Sequence, residues 1–333
     1  MLLYVFEGFE LQGVETEYSS LRWTRKFNDA GNFEITMPFT KERLSLFSKG
    51  RIVYKKNTDE AAFVQDRNIY TDGRGREHLV IRGAFLAEML SRRIATYTAS
   101  ASPVTAIEAM VLQNMIAAGN KNRNIPGLVL DACGMSMPQE AVKVENREIL
   151  EAAVELCAGE NIGFRVLFDH RNQAYRFRLY AGRQCTDVVF SQQYGNVLEQ
   201  EYYAETSEEK TTALVDSNGS IAVTGDEYVG LDRKEAYAAF RSSEGGSPQS
   251  QGNLFLKEYR EKESMDTVID NNSRQFVYLE DWDLGDIVSC KNSRWDVVIQ
   301  KNILEIEEYY DQAGRHLTVI FGDYIHAQNV KGR

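Results

Sequence analysis

The run from Leu284 to Asp323 constrains this chain most, because it reads as three strands of one antiparallel sheet. Leu284-Gly285-Asp286-Ile287-Val288 places turn residues before a short apolar stretch, as a strand leaving a tight bend does. From Asp296 to Tyr310 the pattern then sets Val298, Leu304 and Ile306 on one parity and Glu305 and Glu307 on the other. Successive side chains leave a strand on opposite faces, so this alternation predicts a long, half-buried strand. A turn at Asp311-Gln312-Ala313-Gly314 follows. The return strand carries Leu317, Val319 and Phe321 on one face and His316, Thr318 and Ile320 on the other. A hairpin with one apolar face is not stable alone; it must pack in a sandwich or curl into a barrel.

The other end of the chain repeats the pattern. After a first strand near Leu3 to Phe6, the stretch Ser20 to Phe27 alternates strictly, with Leu21, Trp23, Arg25 and Phe27 sharing a face. Asn28-Asp29-Ala30-Gly31-Asn32 is a hairpin turn, and Phe33, Ile35 and Met37 continue the apolar side until Pro38. Thr40 is placed to cap a short helix through Phe47 that Gly50 ends, and Arg51 to Lys55 resumes extended structure. Strands are expected at Ala61 to Tyr70 and Glu77 to Arg82, joined by Asp72-Gly73-Arg74-Gly75. No helix follows those glycines, so they read as a tight turn and not as a phosphate loop. Gly83 is expected to open a short helical run closing at Arg92-Arg93, which ends a first barrel-like unit, residues 1–95.

Residues 96–195 have a mixed α+β texture. Ser102 as N-cap and Pro103 at the first helical position open a helix whose Val104, Ile107, Val111, Met115 and Ala118 fall on one face before Gly119. A strand is expected near Leu128, and Asn146 is expected to cap a second helix with Ile149, Ala153, Leu156 and Cys157 in a stripe that the Gly159 to Gly163 region ends. Strands at Phe164 to Phe168, Tyr175 to Tyr180 and Val188 to Phe190 complete the segment. Residues 196–333 are β-rich again, with strands expected at Lys210 to Val215, Ser220 to Thr224 and Lys234 to Phe240. Ser242 to Gly252 reads as a linker and Leu254 to Glu263 as a short amphipathic helix. The acidic run Glu199, Glu201, Glu205, Glu208 and Glu209 suits a solvated strand edge that resists edge-to-edge pairing.

Composition narrows the function. A chain of 333 residues with 43% hydrophobic content and five prolines is long enough for two or three cores and is not linker-dominated. Its net charge of −11 repels nucleic-acid phosphate and anionic lipid. No window reaches the roughly twenty apolar residues of a membrane span, and Met1 to Glu7 lacks the basic start of a signal peptide. Cys133, Cys157, Cys185 and Cys290 are too widely spaced for a zinc or redox motif and read as free core thiols, which places synthesis in a reducing cytoplasm. Of the histidines, His78, His170, His316 and His326, none is spaced as a helical metal pair. Asp169-His170 sits in a hairpin turn, and Cys157 lies on a buried helix stripe, so neither makes a catalytic dyad. No catalytic, cofactor-binding or metal-binding residues are expected.

Several of these residues together resemble the opening of phage tail hub proteins: Trp23, Phe27, Gly31, Phe33-Glu34-Ile35, Pro38 and Gly50, then Leu79-Val80-Ile81-Arg82-Gly83, Leu86, Leu90 and Arg92-Arg93-Ile94. The closing Leu284-Gly285-Asp286-Ile287-Val288, the long hairpin and Phe321-Gly322-Asp323 are similar to the second barrel of that family. The group includes the N-terminal part of siphophage tail-associated proteins and the baseplate hub of contractile tails. The resemblance implies an α+β, β-rich fold with two tube-type antiparallel β-barrels and an inserted α+β unit. It implies a homotrimeric ring at the tail tip that matches the hexameric tail tube, a structural and non-enzymatic role, and no cofactor. Implied partners are a distal tail or tail tube protein, the tape measure protein, a tip spike or fibre protein, and phage DNA passing through the lumen. Candidate lumen-facing acids are Glu199, Glu201, Glu205, Glu305 and Glu307. Some members continue into a peptidoglycan-cleaving domain; here the sequence ends ten residues after Asp323, so that activity is expected from a separate chain. Two other readings stand beside this one: a cell-wall peptidase or muramidase in the α+β middle, and a carbohydrate-binding adhesin using Tyr202, Tyr203, Tyr309 and Tyr310 as stacking platforms.

Overall fold

A computed structural model describes the chain except residues 57, 159, 241–246 and 324–333. The N-terminal strands are β1 (Leu3–Glu7), β2 (Glu10–Glu15), β3 (Ser20–Lys26) and β4 (Asn32–Pro38). Leu21, Trp23, Phe33, Ile35 and Met37 are buried as their parity predicts. The hairpin between β3 and β4 is tight enough to need Gly31: a Cβ there would lie 2.3 Å from the Thr24 carbonyl oxygen. Helix α1 (Lys41–Leu46) is capped by Thr40, whose hydroxyl accepts from the Arg43 N–H, as the sequence indicates. Strands β5 (Ile52–Lys55), β6 (Ala61–Thr71) and β7 (Glu77–Phe85) follow.

Gly83 does not open a helix. It stays within β7 opposite Val64, because the Phe63 carbonyl oxygen would sit 1.7 Å from a Cβ at that position. A 3₁₀ turn begins only at Leu86.

The next strand, β8 (Ile94–Ala101), carries no clear hydrophobic period and was not anticipated by sequence. Helix α2 (Pro103–Val111) starts where Ser102 and Pro103 predict, and Val104, Ile107, Val111, Met115 and Ala118 are all buried. Strands β9 (Leu128–Leu130) and β10 (Glu140–Glu148) precede helix α3 (Ile149–Cys157). Asn146 is not its cap. It sits at φ +50° where the β8–β10 register shifts, so the residue that tolerates a left-handed backbone serves a bulge and the helix begins three residues later. The helix stripe ends at buried Cys157, and Gly159 of the expected stop lies outside the described residues. Strands β11 (Gly163–Asp169) and β12 (Ala174–Tyr180) form a hairpin, with β9 parallel to β12.

Strands β13 (Gln184–Phe190) and β14 (Val197–Glu205) lead to a small layer of β15 (Thr212–Ser217), β16 (Ser220–Thr224) and β17 (Glu235–Ala239) under helix α4 (Pro248–Glu258). The linker expected at Ser242 to Gly252 is corrected here. Residues 242–246 lie outside the described residues, and Ser247 forms a capping box with Ser250 that starts α4 at Pro248, six residues ahead of the expected Leu254, and the helix ends at Glu258. The signal was present: Ser-Pro at the cap and first position is a helix start, and the neighbouring glycines obscured it. Accordingly the expected helix to Glu263 is replaced from Lys262 by β18 (Lys262–Ile269). The chain finishes with β19 (Ile287–Asn292), β20 (Val297–Asp311) and β21 (Gly314–Gly322).

The fold is β-rich α+β. β3 pairs with β20, so the two β-rich ends share a single sheet in the order β14-β18-β21-β20-β3-β4-β7-β6-β5-β1-β2, with β19 also on β20 and β13 on β19. Among the described residues the pairing closes into no barrel. In the C-terminal half, the Gln200 side chain links β14 to β19, donating to the Lys291 carbonyl at 3.5 Å and accepting from Asn292 at 3.1 Å. Three apolar clusters lie against this framework: one around α2, α3 and β11, one under β18 to β21, and one inside β1, β3, β4 and β7.

One parity reading fails within β20. The strand bulges at Leu304, because Ile303 pairs with Phe321 while Glu305 pairs with Ile320. The extra residue moves Ile299 and Ile303 onto the core face with Ile306, and Val298 is 61% exposed.

Candidate functional site

Residues directly opposite in an antiparallel pair point to the same face, so the register assigns every expected acid. One row crosses the sheet as Glu201, Asp266, Ile320, Glu305 and Lys26. The next runs Glu199, Val268, Thr318, Glu307, Thr24 and Asn32. Glu205 opposes Lys262 further along β14. All five candidate acids therefore share one face, and they do so across strands far apart in sequence. The face is mixed in charge. Arg22 approaches Glu307 at 3.3 Å, and Arg82 donates to Glu34 at 2.5 Å. Glu305 is half-buried, and its carboxyl is pushed up to about 7, first by loss of solvent and further by Glu307, Asp266 and Asp29, with Lys26 acting against the shift.

The opposite face holds an ionic junction that sequence reading missed. Arg25 and Glu308 fall on the core side, with Trp23, Ile306 and Leu317. Arg25 donates to Glu60 at 2.5 Å, to the Tyr278 hydroxyl at 2.8 Å and to Asp283 at 2.6 Å. Lys55 pairs with Glu308, whose other oxygen accepts from the Tyr310 hydroxyl at 2.5 Å. The ammonium lies over the Trp23 and Tyr310 rings at 5.4 and 5.6 Å. Burial holds the Lys55 pKa below its usual range while Glu308 opposes the shift. Residues of the N-terminal sheet thus meet residues of the C-terminal third in one buried network. The available signal was Arg25 itself, an arginine on a stripe of Leu21, Trp23 and Phe27, since a buried guanidinium requires carboxylates.

The residues weighed for chemistry are otherwise engaged. Asp169 accepts from the backbone and side chain of Asn172, a turn role. His170 stacks on Phe6, with centroids 5.5 Å apart. The Cys157 thiol is buried, and burial pushes its pKa up. Tyr202 donates to Glu263 at 2.8 Å, and Tyr309 lies beside His316 and under Arg22. Among the described residues no group of His, Cys, Asp and Glu is arranged to hold a metal, and no helix is long and apolar enough to cross a membrane.

Other solved proteins share this β-rich α+β fold. The 43 kDa tail protein of prophage MuSo2 from Shewanella oneidensis aligns over 96% of this chain and 97% of its own, with a TM-score of 0.63 at 10% identity. A tail protein from Neisseria meningitidis MC58 aligns over 96% of each chain, with a TM-score of 0.63 at 13% identity. Prophage tail protein gp18 from Listeria monocytogenes EGD-e aligns over 97% of this chain and 94% of its own, with a TM-score of 0.58 at 15% identity. The fold is that of phage tail proteins. The sequence itself is matched over residues 2–323 by the family of Siphovirus ReqiPepy6 Gp37-like proteins, and the chain belongs to that family. No curated protein matches it.

Proposed function

We propose that this protein is a structural hub of a phage tail: three copies form a ring at the tail tip or baseplate, and the charged sheet face lines its channel. The observation that carries this reading is the β3–β20 pairing, which merges both β-rich ends into one sheet with a single charged face. In this scheme each β-rich end of that sheet serves as one tube-type unit without closing into a barrel by itself, and three copies present six such units to a hexameric tail tube. A threefold ring is a closed symmetric assembly, the usual form for a homo-oligomer. An acidic excess on the channel face would keep DNA from adhering as it passes, because like charges repel across a narrow lumen. The distal tail or tube protein, the tape measure protein and a spike or fibre are its neighbours in this scheme, and its location is the virion tail.

Native mass spectrometry of tail tips dissociated from particles tests the stoichiometry. The expected species is three times the 37.9 kDa chain; a sixfold species or an unassociated chain in intact tips would contradict it. Neither the hydrolase nor the adhesin reading gains a specific observation among the described residues: Tyr202 is engaged with Glu263, Tyr309 with His316 and Arg22, and Tyr310 with Glu308.

A further inference from the structure

Among the described residues, the small layer of β15, β16 and β17 is covered by α4 on one face. Ala213, Val215, Ala222 and Thr224 lie on that side, and Gly252 sets the helix so close that a Cβ would meet Thr224 Oγ1 at 2.4 Å. The register puts Leu214, Ile221, Val223 and Tyr237 on the outer face, a placement confirmed by the 2.9 Å bond from the Tyr237 hydroxyl to Asp216, which shares that face. Ile221 is 55% and Tyr237 61% exposed. The loop joining β16 to β17 carries two further exposed apolar side chains, Val229 at 73% and Leu231 at 97%. A concentration of apolar surface of this kind marks an interaction site more often than a bare surface.

Charge selects the occupant. Between residues 212 and 239 the chain has five acidic side chains, Asp216, Asp226, Glu227, Asp232 and Glu235, and two basic ones, Arg233 and Lys234. Both cations are held internally, Arg233 by Asp226 and Glu235 and Lys234 by Glu209. The small layer and its loop thus carry an acidic excess, with Asp216 on the same face as the apolar side chains. A second copy docking through the same patch would bring acids against acids, which disfavours self-association. We propose that this face docks a polypeptide segment of another tail component in which apolar side chains alternate with lysine or arginine. The inference concerns a surface separate from the channel face and does not depend on the threefold ring.

The test uses the full chain and a fluorescent peptide of alternating leucine and lysine, followed by anisotropy, with an alternating leucine–glutamate peptide as the charge control. The lysine peptide should bind, more weakly at high salt, and the glutamate peptide should not. Ile221→Glu with Leu231→Glu should weaken binding about tenfold or more, a loss of about 1.4 kcal/mol, with an unchanged melting curve, since both side chains are exposed. Glu227→Lys with Asp232→Lys should weaken it without touching the apolar centre. Equal binding of both peptides, or unchanged affinity in either double variant, would overturn the proposal. So would a doubling of mass with concentration that Leu231→Glu abolishes, because that assigns the face to a second copy.

Discussion

Arg25 Nη1 lies 2.6 Å from Asp283 Oδ1, joining positions 258 residues apart across the junction between the N-terminal sheet and the C-terminal third. The same guanidinium holds buried Glu60, so its removal would leave that carboxylate buried without its guanidinium partner. Arg25→Ala should therefore destabilise by about 3–5 kcal/mol, the cost of breaking a buried pair from one side. Urea denaturation of the variant measures it; a loss under about 1 kcal/mol would show that the network contributes little.

Lys55 and Glu308 form the second half of that junction, both buried. Lys55→Met or Glu308→Leu alone should each cost several kcal/mol, whereas the double variant should recover most of the loss, because an apolar pair of similar volume needs no desolvated charge. A double-mutant cycle reads the coupling directly. Additive losses would mean that the two side chains do not depend on each other.

Much of this was legible beforehand, and where it was not the reason is local. The alternation of Leu21, Trp23, Phe33 and Ile35, the cap at Thr40 and the start at Ser102-Pro103 each rest on local chemistry, and the structure shows each of them. The failures came where a tertiary contact decides. The bulge at Leu304 reverses Val298, Gly83 serves a carbonyl on another strand, and Asn146 serves a register shift. The five acids could be named from sequence, but their common face depends on register between β14, β18, β21, β20 and β3, which no local pattern encodes.

Gly83→Ala tests that tertiary explanation. A methyl group 1.7 Å from the Phe63 carbonyl forces β6 and β7 apart, and overpacking of this kind costs about 1–3 kcal/mol or more. Chemical denaturation checks the loss. Equal or higher stability in the variant would mean that the two strands can part freely at this point.

Glu305 gives the charged sheet face a pH signature. Its folded pKa, about 7, lies above the ordinary 4.5, so the folded state holds a proton that the unfolded state has released. Its contribution to stability is complete below about pH 4.5 and is lost as pH rises through about 7. Glu305→Gln should remove that slope and raise stability at pH 8. Thermal melting from pH 5 to pH 8 in both proteins measures the difference, and parallel curves would show that Glu305 titrates normally.

The central claim is that the face carrying Glu199, Glu201, Glu205, Glu305 and Glu307 lines a channel. An electron cryo-microscopy reconstruction of the assembled tail tip tests it most directly. The predicted map has three copies around the tail axis, with those five side chains toward the lumen and Arg25 and Glu308 enclosed within each subunit. A chain placed off the axis, or a lumen lined by lysine and arginine with this face packed against another protein, would contradict it.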